Sequence, residues 1–139
     1  MAARTNTNVI LLPIIPRYAK AIIEGEKKVE FRKLNIPMSI EHVVIYSAYP
    51  EKRIVGFFSV SKVTKATPKQ LWKNFKNIGC VEKEFLFDYY SGHQYGLAIH
   101  VGKVEKVKNP FSLIKIKKTA PQSFMYLENK YFEKIKRLN

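Results

Sequence analysis

A mixed α+β fold, with a small sheet curled toward a barrel and helices outside it, is predicted by three observations. Strand-like and helix-like segments follow the order β–α–β–β–β–α–α–β–(β)–α, which lacks the regular alternation a doubly wound parallel sheet requires. VILLPIIP (residues 9–16) and HVVIY (42–46) are near-continuous apolar runs, the mark of strands covered on both faces. GEKKVEFRK (25–33) and QYGLAIHVGKV (94–104) instead alternate, as strands with two unlike faces do. Short strands in this mixture close best into a small barrel.

Taken in order, residues 1–8 are polar and predict a frayed tail, with a single domain over 9–139. After the first strand, Pro16 suits a helix start, Ala19, Ile22 and Ile23 form its inward face, and Gly25 stops it. The strand after Gly25 has Val29 and Phe31 in one row and Lys28, Glu30 and Arg32 in the other. NIPMS (35–39) is a loop. RIVGFFSVSKV (53–63) is a long strand, with Gly56 marking a bulge or a close backbone approach. Thr67, Pro68 and Gln70 have the spacing of a capping box with proline at the first helical position. VEKEFLFDYY (81–90) is a second helical stretch, ending before Ser91 and Gly92. In the next strand Tyr95, Leu97, Ile99 and Val101 share a face. Phe124, Leu127, Tyr131, Ile135 and Leu138 give a helical stripe over 124–138.

The chain has 139 residues, 46% of them apolar, enough for one buried core. Charge is its unusual feature: 25 Lys and Arg against 11 Asp and Glu give +14. Such an excess favours a polyanionic partner, nucleic acid first and an acidic membrane surface second. It gathers late, with ten Lys or Arg against three Glu over 103–139. Lys103, Lys106, Lys108, Lys115, Lys117 and Lys118 suit a rim that follows a phosphate backbone. One cysteine, Cys80, and three scattered histidines (His42, His93, His100) offer neither a disulfide nor metal-ligand spacing, so no metal or cofactor is expected. The apolar run at 9–16 is interrupted by Pro13, is followed by Arg17 and Lys20, and is far short of the ~20 residues of a membrane helix. A cytoplasmic monomer that does not enter a membrane is the expectation.

IIPRYAKAIIEGEKKVEFRK, VVIYSAYPEKRIVGFFSV, YYSGHQYGLAIHVGKV and APQSFMYL follow the order and spacing of the ASCH domain, which the chain resembles from about residue 9 to 127. G-x-K-x-V-E-F-R, Y-x-x-x-P before VGFF, and P-Q-S-F are the most specific pieces. The resemblance implies a PUA-like pseudo-barrel of five or six strands flanked by helices. It also implies a cleft where the first helix meets the E-F-R strand. Some ASCH proteins resemble RNA-binding modules; others are described as hydrolases that cut RNA or act on acetylated cytidine. In the acetylcytidine branch a lysine two after the glycine precedes a threonine nucleophile by three. Lys27 fills the first position and Glu30 the second, a departure from that branch. Ile15 likewise stands where many relatives carry lysine.

These residues yield one principal candidate site. Lys28, Glu30 and Arg32 are either a solvated row or one wall of a cleft. In the second case Glu30 accepts from an amine or a ribose hydroxyl, and the cations hold phosphate, Arg32 with two-pronged geometry. Ser123 either caps the final helix or, with Gln122, closes the cleft as part of the 120–124 loop. As a nucleophile Ser123 has only Glu30 as a base. Ser47 and Tyr49 lie at a strand end, where ligand contacts concentrate, although a turn before Pro50 explains them equally. Tyr89, Tyr90 and Tyr95 are stacking platforms for an unpaired base or core side chains with a wet hydroxyl. Trp72 is expected in the core. The leading expectation is an RNA-binding module for single-stranded or modified RNA. The rivals are a hydrolase, with Lys27 stabilising an oxyanion and Glu30 activating water, and a protein-interaction adaptor.

Overall fold

The computed structural model describes residues 8–138; of the expected tail only Asn8 falls within them. Strand β1 (Val9–Ile14) leads into α1 (Pro16–Ile23), then β2 (Val29–Arg32), β3 (His42–Ser47) and β4 (Arg53–Ala66). Helices α2 (Pro68–Gly79) and α3 (Lys83–Tyr89) precede β5 (Gly96–Phe111), a short 3-10 turn (Leu113–Ile116), β6 (Met125–Tyr126) and α4 (Asn129–Arg137). The strands form one curled six-stranded sheet in the order β2-β5-β4-β3-β1-β6. It is mixed, because β1 and β3 run parallel while the other pairs are antiparallel.

Alternation along β1 explains how the sheet is covered. Val9 and Leu11 face a core layer closed by Phe132 and Ile135 of α4 and by Leu113 and Ile116. Ile10, Leu12 and Ile14 face the opposite layer, closed by Tyr18, Ala19 and Ile22 of α1. A third cluster packs Val29 and Phe31 of β2 and Ala98 of β5 against Leu71 of α2 and Leu86 of α3. Trp72 is half-buried at the edge of that cluster. Pro16 opens α1 as expected, and Gly25, at φ 85°, lies just beyond its end in the left-handed region. The capping box at Thr67 and Gln70 forms in full. Gly56 meets both expectations for it: the β3–β4 and β4–β5 registers shift beside it, and a Cβ there would lie 2.6 Å from the Glu105 carbonyl oxygen.

The helix expected over 124–138 begins only at Asn129. Met125 and Tyr126 instead pair with Leu11 and Ile10, and the Leu127 amide donates to the Val9 carbonyl at 2.9 Å. The open edge of β1 carries backbone groups that need partners, and this short strand supplies them. The C-terminal apolar spacing of Phe124 and Leu127 fits either geometry. The N-cap of α4 is Glu128, so Ser123 does not cap it.

Candidate functional site

The sheet curls until β2, at one end of its order, reaches β1 near the other. Arg32 closes this seam by donating from its guanidinium to the Pro13 carbonyl. Beside the seam lies a cavity of about 260 Å³. Its walls are Pro13 and Ile15 at the β1–α1 junction, Tyr18 of α1, Phe31 of β2, and Val81, Phe85, Leu86 and Tyr89 from α3 and the residues before it. Lys27, Glu30 and Arg32 supply its polar groups. The rings are ordered against one another: Tyr18 and Phe85 meet edge to face with centroids 5.7 Å apart.

Glu30 binds the two cations together. Arg32 Nε donates to Glu30 Oε2 at 3.0 Å, and Lys27 Nζ lies 3.7 Å from Glu30 Oε1. Lys27 is 1% exposed, a placement an ammonium tolerates only with several partners. It donates to the carbonyl of Gly79, the last residue of α2, where the helix dipole favours a cation. Its Nζ also lies 4.9 Å from the Tyr18 ring centroid and 5.3 Å from that of Phe31. Burial lowers the Lys27 pKa, and the Glu30 carboxylate opposes that shift. Desolvation likewise raises the Tyr89 hydroxyl, with the Arg32 charge pulling the other way. Glu30 is 5% exposed, and each of its oxygens retains a lone pair beyond those engaged by the cations.

Of the residues singled out from sequence, Lys27, Glu30, Arg32 and Tyr89 meet in this cavity. The others lie elsewhere. Lys28 is exposed ahead of β2, and its amide donates to Ile78. Lys27 lies two residues before Val29 and takes the inward place on the row of Val29 and Phe31, with its Nζ over the Phe31 ring. Tyr90 is 2% exposed, with its hydroxyl donating to the carbonyls of Arg32 at 2.8 Å and Leu97 at 3.2 Å; it is a core side chain rather than a platform. Desolvation drives its pKa far upward. Tyr95 precedes β5 and lies under Lys65, 5.1 Å from the ring centroid. Ser47 is fully buried at the end of β3 and donates to Glu51, on the other side of α1. Tyr49 is 77% exposed. Gln122 is exposed, and Ser123 Oγ accepts from Asn35 Nδ2 at 2.9 Å, so the 120–124 loop rests on the segment following β2 without lining the cavity.

The sequence reading singled out none of Pro13, Tyr18, Phe31, Val81 and Phe85 as site residues, so the apolar half of the cavity was missed. In the structure Ile15, just before α1, and Phe85, within α3, are exposed large apolar side chains on its rim.

Among the described residues no group of three or more His, Cys, Asp or Glu is placed to hold a metal, and no helix is long and apolar enough to cross a membrane. The curled six-stranded sheet with four helices is a PUA-like fold. The ASCH domain model matches residues 12–136, and the chain belongs to that family. A relative from Zymomonas mobilis, named ASCH domain-containing ribonuclease, is 25% identical over 131 residues, covering 90% of this chain and 88% of its own. The crystal structure of ASCH from Zymomonas mobilis superposes with a TM-score of 0.86 at 24% identity, over 96% of each chain. The N-terminal domain of Staphylothermus marinus McrB shares the fold more loosely, with a TM-score of 0.60 at 12% identity over 96% of this chain and 95% of that one.

Proposed function

We propose that this ASCH domain binds single-stranded RNA and takes one unpaired or modified nucleotide into the cavity beside the seam. The convergence of Lys27, Glu30 and Arg32 at one end of a ring-lined hollow carries this reading. Its volume lies just below the ~300 Å³ at which sites for drug-sized ligands begin, which suits a single nucleoside. Tyr18, Phe31 and Tyr89 offer aromatic surface to a base, each stack worth roughly 1–3 kcal/mol. Glu30 accepts from an exocyclic amine or a ribose hydroxyl. Arg32 uses two N–H groups on Glu30 and Pro13, which leaves others for phosphate.

The name of the Zymomonas mobilis relative favours a second reading, cleavage of the bound strand. Glu30 is then the base that takes a proton from a hydroxyl or a water, and Lys27 offsets the charge that develops beside it. Acetylated cytidine is a further substrate to assay.

Binding of labelled single-stranded RNA, with product analysis of the same mixtures, tests both readings. The Arg32→Ala variant is expected to weaken binding about tenfold or more, as loss of a charged hydrogen bond to ligand does. Glu30→Gln separates the two readings, because it keeps the shape and removes the base. RNA affinity indifferent to Arg32→Ala removes the cavity reading; turnover that survives Glu30→Gln removes the catalytic role.

A further inference from the structure

Across α1 from the cavity lies a second, larger hollow of about 420 Å³. Its floor is apolar, formed by Ala19 and Ile23 of α1 and Val55 of β4. Arg17, Lys20 and Lys106 supply cations around it, and Glu24 and Glu51 supply carboxylates. Both carboxylates are engaged: Glu24 with Lys20 at 4.0 Å, and Glu51 as acceptor from buried Ser47. Three cations against two carboxylates leave the hollow a net positive charge toward an incoming anion.

The two hollows are joined through α1. Ile15 and Tyr18 line the cavity, while Pro16, Arg17, Ala19 and Lys20 line the second hollow. The Arg17 guanidinium donates to the Tyr18 hydroxyl at 3.1 Å and stands 4.8 Å over its ring. A cation of one hollow is thereby held on an aromatic wall of the other. A groove with cations along it is the arrangement that tracks a strand's phosphates.

We propose that this second hollow holds the backbone of the nucleotides next to the one in the cavity, so that a single RNA strand crosses the first turn of α1. The proposal rests on the reading of the cavity as a nucleotide site. A helix with its side chains is on the order of 10 Å across, so a mononucleotide in the cavity does not reach the far side. The second hollow discriminates by length.

Fluorescence titration of adenosine monophosphate and of a labelled hexaadenylate tests this. The intact protein is expected to bind the hexanucleotide at least about tenfold more tightly than the mononucleotide. The double variant Lys20→Ala/Lys106→Ala, at cations that line the second hollow and not the cavity, should lose about tenfold for the hexanucleotide and nothing for the mononucleotide, as removal of remote phosphate contacts requires. The double variant Lys115→Ala/Lys117→Ala, at exposed lysines outside the hollow, controls for general charge and should lose markedly less. Equal affinity for both ligands, or equal losses in the two double variants, overturns the proposal and leaves the cavity reading standing. If neither ligand binds, the cavity reading falls and this proposal falls with it.

Discussion

Glu30 is the residue on which the polar end of the cavity depends, because it is the carboxylate paired with both Lys27 and Arg32. Truncating it leaves Lys27 buried with a helix-end carbonyl and two ring faces but without a counter-ion. Breaking a buried pair on one side costs several kcal/mol, so Glu30→Ala is expected to lower unfolding stability by about 3 kcal/mol at neutral pH. The loss should also acquire a pH dependence. Burial already lowers the folded-state pKa of Lys27 from 10.5, and removing Glu30 removes the charge that opposes this shift. Between that lowered value and 10.5 the unfolded chain binds more protons than the folded one, so stability rises with pH through the window. Denaturant titrations of both proteins from neutral to mildly alkaline pH read this directly. A variant that recovers none of its loss on alkalinisation would show that Lys27 is not the origin of the cost.

At the scale of elements, the close crossing of β4, β5 and α1 holds the second hollow in shape. Gly56 makes that crossing possible: a Cβ there would meet the Glu105 carbonyl oxygen and Ile23 Cδ1, each at 2.6 Å. The Ile23 methyl can rotate away, but the β5 backbone cannot. Gly56→Ala is expected to cost about 2 kcal/mol, as overpacking of a tight contact does, with the loss read from thermal unfolding. Thr67→Ala, which removes only the α2 cap, should cost about 1 kcal/mol and serves as the reference. A Gly56→Ala midpoint no lower than that of Thr67→Ala would mean that β4 and β5 are not locked at this crossing. Gly56, the capping box and the proline-led helix were legible in the sequence because each is a local device with its own residue signature. The optional strand before the last helix was anticipated, but its place at 125–126 was not, since its pairing with β1 depends on a strand more than a hundred residues earlier. The inward place of Lys27 follows the alternation of Val29 and Phe31, but what makes it tolerable, the Gly79 carbonyl and the Glu30 carboxylate, comes from the tertiary fold.

For the whole molecule, the +14 charge was plain from composition, whereas its distribution over the fold was not. Of the late lysines singled out from sequence, Lys106 lines the second of the two hollows described. Lys103 pairs with Glu105 at 3.8 Å, and Lys118 lies 4.4 Å from the Tyr131 ring centroid, on the α4 side of the sheet. The seam itself was illegible, because Arg32 meets Pro13 only when the sheet curls through three intervening strands. Two pictures of RNA affinity then differ in their salt dependence. If a strand is held by Arg32, Arg17, Lys20 and Lys106, about four phosphate charges are neutralised, and log K should fall against log salt with a slope of about −3 for single strands. Removing Lys20 and Lys106 should bring that slope to about −1.5. If the dispersed lysines hold the strand instead, the slope barely changes in the same variant. Titrations of a hexanucleotide in potassium chloride from low to physiological ionic strength separate the two. The same slope in both proteins would assign the affinity to the basic surface at large and leave α1 no part in guiding the strand.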